Sequence, residues 1–519
     1  SDMDMGAIQV TTFHSFCSRV LRSEAQFLGL SRNFTIYDMS ESKSVVKAVL
    51  GRRGINQKEV HPNEVGHYID GIKNLGHYLN CADEEINEEI DEDDIFFDFY
   101  KEYEAELHKS NAVDFGGLIT GVLNLFQNFP EVLERYQKRF RYLLVDEYQD
   151  TNRAQFKLIK LLSDQNKNIC VVGDEDQSIY SWRGADIRNI LEFEKIYPEA
   201  RMIKLEQNYR SSKNIIEAAS CVIAKNLQRK GKEMWTDNDR GDYISIIECA
   251  DDRVEAEFMA TEVSKLISDG VDPKEIAIFY RTNAQSRGIE DALRRGNIPY
   301  KVVAGIKFYE RKEVKDLLSY LRIIVNDKDS LALSRIINIP VRGIGARTLR
   351  KIEDEAIKLE VSLWEMINLI VEDNEKYKFL RLSSKVKSGL QSFTHLIHEA
   401  KTMEANKASP ANIYEKVLHE SLYYETLESD KSYESAARIE NLDELLSAMA
   451  VLTLPALLGP IIGPPVGGFL VTYASWHWIF LINIPVGILG IALVLRYIRE
   501  DYPTERPPLD WLGFILSAI

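Results

Sequence analysis

Cysteine is scarce in this chain. Cys17, Cys81, Cys170, Cys221 and Cys249 are scattered without paired spacing, which gives no disulfide framework and fits a reducing compartment. His67, His77 and Cys81 lie close together, but no second tight pair accompanies them, so they do not make a zinc set. A basic surplus is missing too: 64 Lys and Arg stand against 80 Asp and Glu, for a net charge of -16. Bulk charge therefore argues mildly against a nucleic-acid partner, without excluding one, because binding depends on a local groove and not on the sum. Ser1 to Gly6 show no basic stretch leading into an apolar core, so no signal peptide is expected. The last absence is local. From Ala450 to Leu495 there is no Asp, Glu, Lys or Arg.

Two bilayer-length stretches fit inside that uncharged run, about Val451 to Tyr473 and Trp476 to Leu495, with Arg496 and Arg499 directly after them. A transmembrane helical hairpin with both ends in the cytoplasm is expected there. Upstream the pattern is α/β. Apolar runs rich in branched residues predict buried parallel strands at Arg141 to Val145, Ile169 to Val172, Met202 to Leu205, Tyr243 to Ile247 and Ile276 to Tyr280. Amphipathic helical stretches, such as Arg153 to Leu162 and Asn214 to Ala224, lie between them. Residues of about 30 to 135 and 327 to 448 read as mostly helical. The acid run Asp83 to Asp98 reads as a solvated helix face or a loop.

Three motifs carry chemistry. Leu143-Leu144-Val145-Asp146-Glu147-Tyr148-Gln149-Asp150 delivers two carboxylates at a strand's carboxyl end, where open α/β sheets bind ligands. Asp146 can hold the Mg²⁺ shell, and Glu147 can orient and deprotonate a water attacking a γ-phosphate. Next, Val171-Val172-Gly173-Asp174 leads to Gln177, whose neutral amide can read a γ-phosphate through a hydrogen bond that hydrolysis removes. Tyr180, Trp182 and Arg183 follow at once. Aromatics interleaved with arginine make a stacking platform for unpaired bases, at about 1–3 kcal/mol per base. The third motif, Gln207-Asn208-Tyr209-Arg210, offers an arginine for charge on a transferred phosphoryl group and a tyrosine that can stack.

In order and content these motifs resemble the UvrD/PcrA/Rep group of superfamily 1 DNA helicases, over residues of about 8 to 448. The resemblance implies α/β, RecA-like motor domains with two helical insertion subdomains. The first motor domain would comprise 1–30 and 136–204 with its insertion at 31–135; the second would be 205–326 with its insertion at 327–448. It implies 3′ to 5′ unwinding of DNA driven by ATP, with Mg²⁺ at Asp146 and the nucleotide also touching Tyr209 and Arg210. Thr12-Phe13-His14-Ser15 resembles the motif that contacts single strands, in which the Phe stacks on a base. Tyr280-Arg281-Thr282-Asn283-Ala284-Gln285-Ser286-Arg287 resembles a second-motor signature, adding Asn283 and Arg287 to the nucleic-acid-binding set. The partners implied are single-stranded and duplex DNA, in a bacterial cytoplasm, with ATP as the sole small-molecule substrate.

The chain departs from that pattern in places. No Gly-x-x-x-x-Gly-Lys-Ser/Thr phosphate loop occurs in it, and two late motifs do not follow Ala448. An incomplete motor, catalytically incompetent alone, is therefore expected, with a non-catalytic single-strand binder as the alternative. Gly116-Gly117 also stand where the family usually has two acids after Asp-Phe. The segment 450–519 resembles the fifth and sixth spans of a major-facilitator multidrug exporter, through Gly459-Pro460 to Gly468 and Trp476 to Gly487. A fusion of two gene fragments, membrane-associated through this segment, is expected; a membrane-protein fragment is the further alternative.

Overall fold

Local sequence sets the helix starts. The Thr12 hydroxyl accepts the Ser15 N–H at 3.3 Å and opens the helix Phe13–Glu24. Asp38 and Glu41 form a reciprocal capping box at the head of Met39–Arg52, and Ser362 and Glu365 do the same for Leu363–Glu372. The computed structural model describes residues 8–449 apart from 57, 80, 82, 84–88, 92, 227–229, 304–307, 374, 431 and 433. These fall into two compact units. One gathers the described residues up to Phe140, Ala154–Leu162 and those from Lys312 onward; the other is Arg141–Arg153 with Ser163–Arg311.

The first unit is predominantly helical. Its small sheet pairs β1 (Thr35–Tyr37) with β2 (Ala112–Asp114) in parallel, Ile36 opposite Val113. The helices Met39–Arg52, Pro62–Leu75 and Ile95–Lys109 close around it through Val45, Val49, Leu50, Ile69, Phe99, Tyr100 and Tyr103. The acid run resolves into roles: Asp94 caps Ile95–Lys109, and Asp83 pairs with Lys157. His77 is buried with its ring against Phe97 and Tyr100.

Lys73, wholly buried, ends between Asp114 at 2.7 Å and Glu104 at 2.5 Å. Asp114 also accepts from the Tyr103 hydroxyl at 2.8 Å and from the Gly117 N–H at 2.6 Å. Burial opposes the charge on Lys73, but the two carboxylates outweigh it and raise its pKa above the ordinary lysine value. This cluster explains Gly116-Gly117. A Cβ on Gly116 would stand 2.9 Å from Lys73 Cδ, and one on Gly117 would stand 2.8 Å from Asp114 Oδ1. Lys73 occupies the space that a side chain at 116 would need, and Asp114 with Val113 occupies that at 117.

The same unit joins β1 to the later helices by a buried polar seam. Asp329 accepts from the Tyr37 hydroxyl at 2.8 Å, from Arg322 Nη2 at 2.7 Å and from the Ala332 N–H at 3.0 Å. The Asn326 amide donates to Thr35 Oγ1 and the Ser110 carbonyl, both at 3.0 Å. Beyond the seam, Lys312–Val325, Leu363–Glu372, Ser384–Ala405 and Pro410–Glu420 bury Tyr320, Ile323, Ile367, Leu390, Phe393, Tyr414 and Val417.

The second unit holds β3 (Leu143–Val145) and β4 (Ile169–Val171), parallel, with Leu144 opposite Cys170. Its apolar cluster is Val263, Leu293 and Ile298 between Asp252–Ser268 and Asn283–Arg295. The strands expected at Met202 to Leu205, Tyr243 to Ile247 and Ile276 to Tyr280 form no ladder among the described residues. A buried parallel strand needs neighbours along both edges and cover on both faces. Here Leu205, Ile246 and Phe279 are exposed, while Ile276 and Ile278 turn alternately inward onto the helix pair.

The fold class also needs correction at the membrane. No helix among the described residues is long and apolar enough to cross one. The longest, Ser384–Ala405, carries Lys385, Lys387, Glu399, Lys401 and Glu404, each costly in hydrocarbon. The hairpin expected within 450–519 falls outside the described residues, and the fold shown is helical and α/β without a transmembrane element.

Candidate functional site

β3 ends at Val145, and the next two residues turn away from the ladder. Glu147 has φ 50°, the left-handed region, so the chain reverses sharply and leaves both carboxylates exposed. The turn is fixed by backbone bonds. Val172 N–H donates to the Val145 carbonyl at 2.8 Å, and Tyr148 N–H donates to the Val172 carbonyl at 2.9 Å. Asp146 accepts the Glu147 N–H at 3.0 Å, which fixes its carboxylate at the turn.

Gln149 is the joint of the site. Its buried amide donates to Glu147 Oε2 at 2.8 Å and accepts the Asp174 N–H at 3.0 Å. Asp174 in turn accepts from Gln177 Nε2 at 2.7 Å, within a short 3₁₀ turn, Glu175–Gln177, that it also caps. Burial pushes the Asp174 carboxyl up; hydrogen bonds from Lys232 and Gln177 outweigh it and hold it below the usual range. Gly173 passes so close that an added Cβ would stand 2.7 Å from Gln149 Oε1. An unbroken hydrogen-bonded path thus links Glu147 to Gln177. Burial and then the Glu147 charge raise the Asp150 carboxyl above its ordinary value.

The aromatic segment follows directly. Ser181–Arg183 is a 3₁₀ turn closed by Gly184 at φ 86°. Arg183 lies 4.6 Å from the Trp182 ring centre and 5.2 Å from that of Tyr180. Trp182 is 68% exposed, a large aromatic left open to solvent. The platform is tied to the acid segment by the Asp186 N–H donating to the Thr151 carbonyl at 3.0 Å. Asn189, buried, donates to the same carbonyl at 2.9 Å.

In Gln207-Asn208-Tyr209-Arg210, the Asn208 side chain accepts the N–H groups of Arg210 at 3.0 Å and Ser211 at 2.8 Å, a local turn that presents Arg210 outward. The Tyr209 hydroxyl donates to Gln207 Oε1 at 2.8 Å, and its ring is exposed. Asn283 opens the helix Asn283–Arg295, with Arg287 exposed on its second turn. Phe13 and His14 belong to the other unit. They start its first helix half-buried, His14 edge-on to Phe115 at 5.6 Å, and burial lowers the His14 pKa.

The structure therefore brings Asp146, Glu147 and Gln177 together and places Tyr180, Trp182 and Arg183 beside them on one turn. Two residues of this network were not apparent from sequence chemistry. Gln149 lies within the acid motif but shows its role only when folded, and Lys232 reaches Asp174 across a long stretch of chain.

Comparison with known proteins gives three family matches. The UvrD/REP helicase N-terminal domain matches residues 2–198, the UvrD-like helicase C-terminal domain 203–454, and the Major Facilitator Superfamily 435–515. A protein of Staphylococcus epidermidis described as ATP-dependent DNA helicase PcrA is 46% identical over 441 residues, covering 85% of this chain and 59% of that protein. Its counterpart in Staphylococcus aureus is 45% identical with the same coverage. The chain thus spans about three-fifths of the length of these curated relatives. Over residues 2–454 it belongs to the UvrD/REP helicase family.

Proposed function

We propose that this chain is motor material of an ATP-dependent, 3′ to 5′ DNA helicase of the PcrA type, acting in replication or repair. The observation that carries this reading is the path from Glu147 through Gln149 to Asp174 and Gln177. It couples a water-activating carboxylate to a phosphate-reading amide, and a stacking turn follows within three residues. ATP with Mg²⁺ would supply the phosphoryl group and the free energy of its hydrolysis. The exposed Asp146 carboxylate at the end of β3 suits the Mg²⁺ shell, and the outward Arg210 suits phosphate charge. Glu147, held by Gln149, orients the water and takes its proton. Tyr180, Trp182 and Arg183 stack on unpaired bases. Phe13, His14, Tyr209, Asn283 and Arg287 complete the contacts to nucleotide and DNA, within the motor and insertion boundaries expected from sequence.

The polypeptide of these 519 residues grips single-stranded DNA but turns ATP over negligibly, because no phosphate-loop sequence lies within it. Steady-state hydrolysis with and without single-stranded DNA tests this. DNA-stimulated turnover that Glu147→Gln abolishes would show a competent motor instead. Failure to bind an oligo-dT probe would remove the DNA-gripping function altogether.

A further inference from the structure

We propose that Lys232 is a positioning residue that ties the Gln177 turn to the Arg210 segment, an inference that rests on the function proposed above. Residues 230–236 run between the two motifs as a strap. At one end the Lys232 ammonium meets Asp174, with Asp176 at 3.8 Å. The Lys230 N–H donates to Glu175 Oε1 at 3.0 Å, and its ammonium donates to Glu194 at 2.9 Å. At the other end Trp235 exchanges backbone bonds with the third motif: its N–H donates to the Glu206 carbonyl at 3.0 Å, and its carbonyl accepts the Asn208 N–H at 2.7 Å. Gln207 and Trp235 form an isolated parallel bridge.

Lys232 is mostly buried, with 17% of its side chain exposed, and so is Asp176 at 6%. An ion pair sheltered in this way is screened less than a surface pair, and its geometry is correspondingly better defined. Asp174 receives Lys232 on one oxygen and Gln177 on the other. The carboxylate thus passes the position of the strap directly to the amide that reads phosphate. A shift of the Asn208 to Arg210 segment drags Trp235 and hence Lys232; a shift of the Gln177 turn is carried back along the same bonds. No contact of Lys232 with nucleotide or DNA is required, which separates it from the residues that touch ligand.

Amide hydrogen exchange on the full 519-residue chain, without ligand, tests the role. Lys232→Ala should speed exchange in 173–184 roughly tenfold, the equivalent of about 1.4 kcal/mol, and Lys232→Arg should restore it. Asp174→Ala, which also removes the cap and the Gln177 bond, should produce at least as large a rise, and adding Lys232→Ala to it should add nothing. Unchanged exchange in 173–184 would overturn the proposal. Additive effects would do so too, as would a rise across the whole chain that arginine does not cure.

Oligo-dT anisotropy run in parallel separates this idea from the function beneath it. Lys232→Ala should weaken binding with the salt slope unchanged. A slope reduced by about one would mark Lys232 as a direct phosphate contact and defeat the positioning role. No binding by the unaltered chain would defeat the DNA-gripping reading, whatever exchange shows.

Discussion

The buried charged groups of the first unit and the exposed ones of the second are used in opposite ways. In the first, Lys73, Asp114 and Asp329 are buried and each meets its partners at hydrogen-bond distance. In the second, Asp146, Glu147 and Arg210 stand exposed, the two carboxylates each held by one hydrogen bond at the end of β3. Buried charge must be satisfied within the protein or it costs several kcal/mol, so it specifies packing. Exposed charge held in place is free to meet a ligand. The contrast separates what holds the molecule together from what it can act upon.

The largest effect should come from breaking the buried set. Asp114→Ala leaves Lys73 with Glu104 alone and should cost about 3–5 kcal/mol of stability, read from urea unfolding followed by circular dichroism. A midpoint equal to that of the unaltered chain would show that the cluster is not structural. Lys73→Met, which replaces the charge by an apolar chain of similar length, should be milder if desolvation is the dominant cost.

On the exposed side, Trp182→Ala should weaken single-strand binding by about 1–3 kcal/mol while leaving the unfolding midpoint unmoved. If stability falls and binding does not, Trp182 is packing after all, and the contrast between the units weakens.

Acid should produce the smallest and most graded change. Burial alone would raise the Asp38 carboxyl, but hydrogen bonds from Lys315, Ser40 and the Glu41 backbone bring it from an ordinary 3.8 down to about 2. A depressed carboxylate contributes stability that is complete above its unfolded value and is lost as pH falls through the folded one. The unfolding midpoint should therefore drop between about pH 4 and pH 2, and Lys315→Met should blunt that drop. An identical acid profile in the variant would sever Asp38 from Lys315.

Much of the site was legible because its chemistry is contiguous. Four apolar residues followed by two acids can hardly be placed except at a strand end, and Asp146 and Glu147 follow β3 as expected. Tyr180, Trp182 and Arg183 read as one contiguous group, and Arg183 lies against both rings on or beside the 3₁₀ turn Ser181–Arg183. The strands at 202–205, 243–247 and 276–280 were not so readable. An apolar run shows what a segment would bury but not whether a neighbour lies beside it to accept its N–H groups. Gly116 departs from the family's acid for a reason that lies in another helix, where Lys73 fills the space, and Gly117 because Asp114 and Val113 stand close to it.

By itself the sequence determined the motif order, the helix caps and the apolar periodicity. All of these arise from interactions within a few residues, where spacing alone decides which groups can meet. Tertiary structure alone decided that Gln149 bridges Glu147 to Asp174, that Lys232 clamps Asp174, and that Asp329 accepts from Tyr37. Those pairings join residues separated by up to 292 positions. Apart from the local bond of Gln149 to Glu147, chain connectivity favours none of them. They form because packing removes water from both partners at once, and an unpaired polar group left there would cost more than the bond returns.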